Sequence, residues 1–192
     1  MAPISLALDL ETDRLSEPVV AWRTWKLTGR GDGTHLRLRP VAGRARPWQP
    51  MQPTEAVCRI GRMHAAPNVD CTCGLHGCHE PELLRRTKSP AVLGRVALWG
   101  RVVEHELGYR ARFGYPQRLA LVCFLCFWQW GVIRCHADVV GYYGRGQMMP
   151  FCDEHLGVAM RFGMAPRRSF AADSVEQGLR STYAVDALSL RP

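Results

Sequence analysis

Apolar and polar residues alternate most regularly between Val92 and Glu106. Val92, Val96, Leu98 and Val102 recur on one face, and Arg95, Trp99 and Arg101 on the other. A period of two is that of a strand, and Gly94 and Gly100 suit a strand that bends, as in small barrels. Leu107-Gly108-Tyr109 turns the chain. Arg110 to Tyr115 then returns with Ala111, Phe113 and Tyr115 on one face and Arg110 and Arg112 on the other. Upstream, Val19 to Leu27 is rich in Val, Trp and Thr, which favours a strand. Gly29 to Gly33 is turn chemistry, and Thr34 to Val41 alternates around Leu36 and Leu38, completing a hairpin.

Between these strands the pattern breaks. Residues 42 to 54 hold Pro47, Pro50 and Pro53 around Trp48 and read as an irregular connection; Cys58 to Pro81 is loop-like. Glu82 to Lys88 predicts one or two helical turns, with Pro81 at the first helical position. After Pro116 the residues 153 to 164 read as a helix and 173 to 179 as another, while the acidic start, 1 to 17, is a loose segment or short strand. The expected organisation is an N-terminal segment (1–18), a β-rich domain (19–118), a cysteine-rich module (119–165) and a tail (166–192). The fold class is α+β and mostly β. It is a small curved sheet or barrel with zinc-stapled loops and a C-terminal zinc knuckle leading into a short helix.

Composition narrows this further. With 192 residues, 47% hydrophobic and 22% charged, the chain is neither disordered nor low-complexity. Its net charge is +8, and 23 of the 25 basic residues are Arg. A GC-rich coding sequence favours Arg codons, so the charge matters more than the Arg count; it attracts anions, nucleic acid among them. The first twenty residues carry Asp9, Glu11, Asp13 and Glu17 with no base before Arg14, unlike a secretory signal. The longest apolar run, Leu119 to Ile133, is fifteen residues and includes Gln129, short of a membrane span. A cytoplasmic protein with reduced cysteines is expected.

The eight cysteines fall into two clusters. Cys123-Phe-Leu-Cys126 is followed, after 25 intervening residues, by Cys152-Asp-Glu-His155. Two pairs of this spacing suit a tetrahedral zinc site. Cys152 and His155 lie three apart at a helix start, where they point the same way. Cys135 and His136 stand between the pairs as replacement ligands, and Phe124, Leu125, Phe127, Trp128 and Trp130 are expected to pack around the metal. In the first cluster Cys71-Thr-Cys73-Gly74 is a tight chelate, with Gly74 letting the backbone turn. Cys58 and His64 are the preferred completion; Cys78 or His79 is the alternative. Zn(2+) is the expected cofactor, with one or two ions.

The order Trp48-Gln-Pro50, Cys58, His64-Ala-Ala-Pro67, Cys71-Thr-Cys73-Gly74, Gly94-Arg-Val96, Trp99-Gly100-Arg-Val102 and Gly108-Tyr109-Arg110 resembles a pattern in small bacterial zinc-loop proteins. The resemblance spans roughly residues 20 to 118 and implies a coherent domain with a metal loop, without implying an activity. The GxV strand with its basic return is also similar to strands of PUA-like barrels, which implies binding of RNA or modified bases.

Three function classes follow, in order. The first is a zinc-stabilised module binding nucleic acid through Arg95, Trp99, Arg101, Arg110 and Arg112, with His105 and Tyr109 near the turn; Arg neutralises phosphates and an exposed ring stacks on a base. The second is a protein-interaction adaptor in which zinc is only structural and Trp128 and Trp130 are anchors. The third is a metal hydrolase. It ranks last because His105 stands between Glu104 and Glu106 without forming HExxH, and the zinc-deaminase pattern is absent.

Overall fold

The computed structural model describes residues 17–42, 46–59 and 64–190. The acidic start, residues 1–16, lies outside them. Among the described residues, ten strands and three α-helices follow in the order β1 (Val19–Thr28), β2 (Arg37–Pro40), β3 (Thr54–Glu55), β4 (Leu75–Cys78), β5 (Val92–His105), β6 (Gly108–Leu121), α1 (Phe124–Trp130), β7 (Val139–Gly144), β8 (Gln147–Phe151), α2 (Asp153–Arg161), β9 (Arg168–Ala171), α3 (Ala172–Tyr183) and β10 (Asp186–Ala187).

β5 and β6 form the long hairpin that the alternation predicts, and β1 runs antiparallel to β5 from Val19↔Leu98 to Trp25↔Val92. On the other edge of β6, β4 pairs from Leu75↔Ala111 to Cys78↔Gly108, and Trp22↔Cys78 joins β4 back to β1. The strands β1, β5, β6 and β4 therefore close a small ring. The sheet continues from β1 through β8 and β7 to β9, so strands from both sides of residue 118 share one sheet. Among the described residues, no helix is long and apolar enough to cross a membrane.

Two irregularities separate the hairpin from a plain alternation. Pro116, a residue expected to end the return strand, lies inside β6: the register slips between Arg95↔Arg118 and Val96↔Pro116, leaving Gln117 unpaired. A bulge is a place where a residue without an N–H does no damage to the ladder. The second slip lies between Trp99↔Phe113 and Val102↔Ala111, so that Gly100 and Arg101 oppose Arg112. Gly100 has φ +73°, the left-handed conformation that the first residue of such a bulge requires. Ala111 is in the core, whereas Phe113 stands half-buried beside Trp99, their rings 6.2 Å apart.

The ring interior and the space under α3 hold the main core. Trp25, Leu27, Leu38, Trp48, Val92, Val96, Leu98, Leu119, Leu179 and Tyr183 are all at most 1% exposed. Each aliphatic side chain of this kind contributes about 1.5–3 kcal/mol. Trp25 meets Trp48 edge to face at 5.4 Å, which makes the proline-rich connection part of the core. Tyr183 ties it down further, accepting from Leu38 N–H at 3.0 Å and donating to Trp48 O at 2.7 Å. A second core of Leu93, Ala120, Val122 and Phe127 surrounds Cys123, Cys126, Cys135 and Cys152.

Helix lengths differ from expectation for local reasons. The segment after Pro81 forms only a 3-10 turn, Pro81–Leu84. α2 stops at Arg161, ahead of Gly163 with φ +77°. α3 is longer than expected because Val175, Leu179 and Tyr183 keep one face buried. The hairpin β7–β8 has no counterpart among the predicted elements. Its signal is the Gly144-Arg145-Gly146 turn between runs of Val, Tyr and Met.

Candidate metal centres

The first cysteine cluster is positioned by β3, β4 and the loop between them. Just past β3, Ala56 N–H donates to Arg112 O at 2.7 Å, which fixes the approach to Cys58. At the other end, Asn68 organises a tight turn: its Oδ1 accepts from Asp70 N–H at 2.9 Å and its carbonyl accepts from Cys71 N–H at 3.2 Å. Gly74 has φ +131°, and a Cβ there would lie 3.0 Å from Arg110 Cβ and 3.2 Å from Pro67 Cβ. Glycine thus allows the chain to pass from Cys73 directly into β4.

This brings Cys58, His64, Cys71 and Cys73 together, with their ligand atoms all within 4.8 Å of one another. Cys58 Sγ lies 3.9 Å from Cys71 Sγ, and His64 Nε2 lies 3.2 Å from Cys73 Sγ. Cys78 and His79 stand apart. Cys78 is paired in β4 beside Arg23, and His79 packs edge-on against Tyr109 at 4.7 Å.

The second set is Cys123, Cys126, Cys152 and His155, again within 4.8 Å of one another. Cys123 precedes α1 and Cys152 precedes α2, each at the helix N-cap. The positive helix N-terminus favours a thiolate there. Asp138, just ahead of β7, accepts from Asp153 N–H at 3.1 Å and holds the start of α2. Cys126 Sγ and Cys152 Sγ are 3.5 Å apart, and each lies 3.2 Å from His155 Nδ1; Cys123 Sγ is 3.5 Å from the same nitrogen.

These separations decide the chemistry. A disulfide needs sulfurs at about 2.05 Å, and all eight cysteines are free. Four ligands at metal–sulfur and metal–nitrogen distances of about 2.3 and 2.0 Å sit about 3.3–3.8 Å apart in a tetrahedron. Both sets lie close to that spacing, so both are compatible with structural metal binding. Burial raises the Cys123 and Cys126 thiols above their ordinary range, and neighbouring thiols add to this at Cys126. Such a group resists ionisation unless a cation enters, which is how a metal site couples to folding.

Residues between the two ligand pairs have other engagements. Burial pushes the Cys135 thiol up to about 12, and its Sγ donates to Val132 O at 3.4 Å. His136 lies beside Asp138 at 3.7 Å. The expected aromatic shell is only partly formed: Phe127 is fully buried, whereas Trp128 is 62% and Trp130 51% exposed. α1 turns only Cys126 and Phe127 fully inward.

The five residues singled out on the hairpin divide into two groups. Arg95 lies over Trp22 at 4.8 Å and donates to Val20 O at 3.3 Å. Trp99 stacks on Phe113, and Arg112 covers the same ring at 4.9 Å while pairing with Glu55 at 3.0 Å. Arg101 is exposed. Arg110 instead belongs to the first cluster: its Nη1 donates to the carbonyls of Asn68 (3.1 Å), Cys73 (3.2 Å) and Cys71. Nothing in the sequence marks this clamp, because it depends on β4 and β6 being neighbours.

No family model, curated protein or solved structure matches the chain. The functional reading therefore rests on the geometry of the two clusters and the surfaces they hold in place.

Proposed function

We propose that this protein is a zinc-stabilised binding protein that contacts nucleic acid through the outer face of the β5–β6 hairpin. The observation that carries the reading is the half-buried Trp99–Phe113 pair with the Arg112 guanidinium 4.9 Å over the Phe113 ring. Rings of this kind offer stacking faces, and the exposed Arg101 with Arg95 supplies phosphate contacts. The net charge of +8 favours the same partner, as does the similarity of the hairpin to strands of PUA-like barrels.

Zinc is the ion that three thiolates and an imidazole suit. Four protein donors fill its tetrahedron, so each set serves as a staple, whereas catalysis would need an open position. In the first set three thiolates with a divalent ion carry a net negative charge, and Arg110 offsets it.

The test is fluorescence anisotropy with a labelled single-stranded oligonucleotide at several salt concentrations. Affinity should fall steeply with salt, and Arg95→Glu with Arg101→Glu should flatten the slope by about one for each phosphate no longer neutralised. Binding that ignores salt, or equal affinity in the double variant, would remove this face from consideration. The second reading, a protein adaptor, draws on the exposure of Trp128 and Trp130. It predicts a nuclease-resistant complex that Trp128→Ala with Trp130→Ala abolishes.

A further inference from the structure

The end of α2 carries apolar side chains that its own fold does not require. Gly163 N–H donates to Met160 O at 3.0 Å, and Met164 N–H donates to Ala159 O at 2.9 Å. With Gly163 at φ +77°, this is the paired-bond turn that closes a helix on a left-handed glycine. Such a turn needs the glycine and favours an apolar residue directly after it, here Met164. It needs nothing apolar at Met160 or Phe162. Yet Phe162 is 81% exposed, Met160 53% and Met164 43%. Among the described residues, no other large hydrophobic side chain is as exposed as Phe162.

The tip projects, and it is held in place. A Cβ built at Gly157 or at Gly163 would meet no atom within 4 Å among the described residues. Tyr143 Oη donates to Met164 O at 3.2 Å, and Arg167 N–H donates to Tyr142 O at 2.8 Å where the chain enters β9. Three apolar side chains thus face outward on a fixed turn. Covering them costs little backbone ordering, and an exposed apolar cluster of this kind marks a contact surface.

Arginines frame the tip. Arg161 precedes it, Arg167 and Arg168 follow it, and all three are exposed. Arg167 lies along the β7–β8 turn, its Cζ 3.2 Å from where a Gly144 Cβ would stand, next to the exposed Arg145. Among the described residues none of these four arginines forms an ion pair. The acids of α2, Asp153 and Glu154, lie at its other end, about 10–12 Å away along the axis. Asp32, in the loop that Arg168 reaches through Gly31 O, turns its Oδ1 to the Thr34 N–H and hydroxyl.

From this projecting apolar tip with a basic rim, we propose that the protein docks on an anionic lipid surface. Met160, Phe162 and Met164 enter the apolar layer while Arg161, Arg167 and Arg145 meet lipid phosphates. This is attachment to one face of a bilayer, distinct from a span. A second copy of this chain would bring the same arginines face to face. Nucleic acid would take the arginines and the Phe162 ring but leave both methionines in water, whereas the apolar layer buries all three side chains. The net charge of +8 draws the protein to the same surface. The proposal stands apart from the hairpin reading, because it uses none of Arg95, Trp99, Arg101 or Arg112.

Co-sedimentation of the full-length, metal-loaded protein with vesicles tests it. Vesicles of pure phosphatidylcholine are compared with vesicles of equal parts phosphatidylglycerol and phosphatidylcholine. Binding to the anionic vesicles alone, weakening with salt, is expected. Phe162→Ser should weaken it about tenfold, and Arg161→Glu with Arg167→Glu should abolish it. All three positions are exposed, so unchanged melting temperature and metal content confirm the fold of each variant. Methionine methyl ¹H–¹³C spectra read the depth: a nitroxide-bearing lipid should broaden Met160 and Met164 and spare the buried Met148. Retained vesicle binding in Arg95→Glu with Arg101→Glu is expected, which tells a failure here from a failure of the hairpin reading. Absence of binding to the anionic vesicles would overturn the proposal, as would binding undiminished in Phe162→Ser or methionine signals that the nitroxide leaves untouched. Vesicles ignored, with single-stranded oligonucleotide binding lost in the Phe162 variant, would assign the tip to nucleic acid and overturn it too.

Discussion

Arg110 donates through Nη1 to the carbonyl of Cys73 at 3.2 Å, binding the long hairpin to the loop that carries the first metal set. The same nitrogen serves Asn68 and Cys71, so one guanidinium holds three carbonyls of a loop that has no strand or helix of its own among the described residues. A metal ion held by Cys58, His64, Cys71 and Cys73 would staple the loop from one side, as Arg110 does from the other.

Arg110→Met keeps the aliphatic stem and removes the donors. Hydrogen bonds to a charged group are worth about 1.5–3 kcal/mol, so a chelator should strip the first metal faster while the second is unaffected. Timed metal release followed by elemental analysis reads this out. Equal release rates at both centres in the variant would show that the clamp does not hold the loop.

The second centre gives a paired prediction. Cys126→Ser should release about one metal ion per chain and destabilise the fold by several kcal/mol, because metal binding and folding are coupled in such sites. Cys135→Ala removes a thiol that bonds Val132 O, and should leave the metal content unchanged. A variant at Cys135 that released metal would place that residue among the ligands.

Tyr183→Phe should cost about 1–3 kcal/mol for each buried partner left bare, Leu38 N–H and Trp48 C=O. The melting temperature should drop by several degrees, at about 2–4 °C per kcal/mol for a chain of this size. Burial raises the Tyr183 phenol from 10.0 to about 12. The folded state then keeps a proton that the unfolded state gives up, so the tyrosine's contribution is whole below pH 10 and fades as the pH rises towards 12. Melting curves in that window should show wild type and Tyr183→Phe converging.

Gly94→Ala tests how closely the strands of the ring approach. An added Cβ would lie 2.4 Å from Arg118 O, 2.8 Å from Leu119 Cδ2 and 3.0 Å from the Trp25 ring. Overpacking of this kind costs about 1–3 kcal/mol, and backbone on one side leaves little room to yield. An unchanged melting temperature would mean that the strands can part without penalty.

The sequence alone determined the elements whose causes are local. The alternation from Val92 to Glu106 set the long strand β5, the Asp153-Glu154 start and apolar spacing set α2, and the cysteine spacing pointed to the Cys123, Cys126, Cys152 and His155 set and to the Cys71–Cys73 chelate, leaving Cys58 and His64 or Cys78 and His79 to complete it. Metal-ligand spacing is legible because thiolate and imidazole geometry leaves few ways to chelate one ion. Tertiary structure decided everything that depends on which strands become neighbours. Pro116 reads as a strand terminator until a bulge excuses its missing N–H. Arg110 reads as a surface charge until β4 lies beside β6 and offers it the loop carbonyls. Trp128 and Trp130 read as core until the short helix α1 turns only Cys126 and Phe127 inward. Register, bulges and burial are set by long-range pairing, and pairing partners leave no mark on the local pattern.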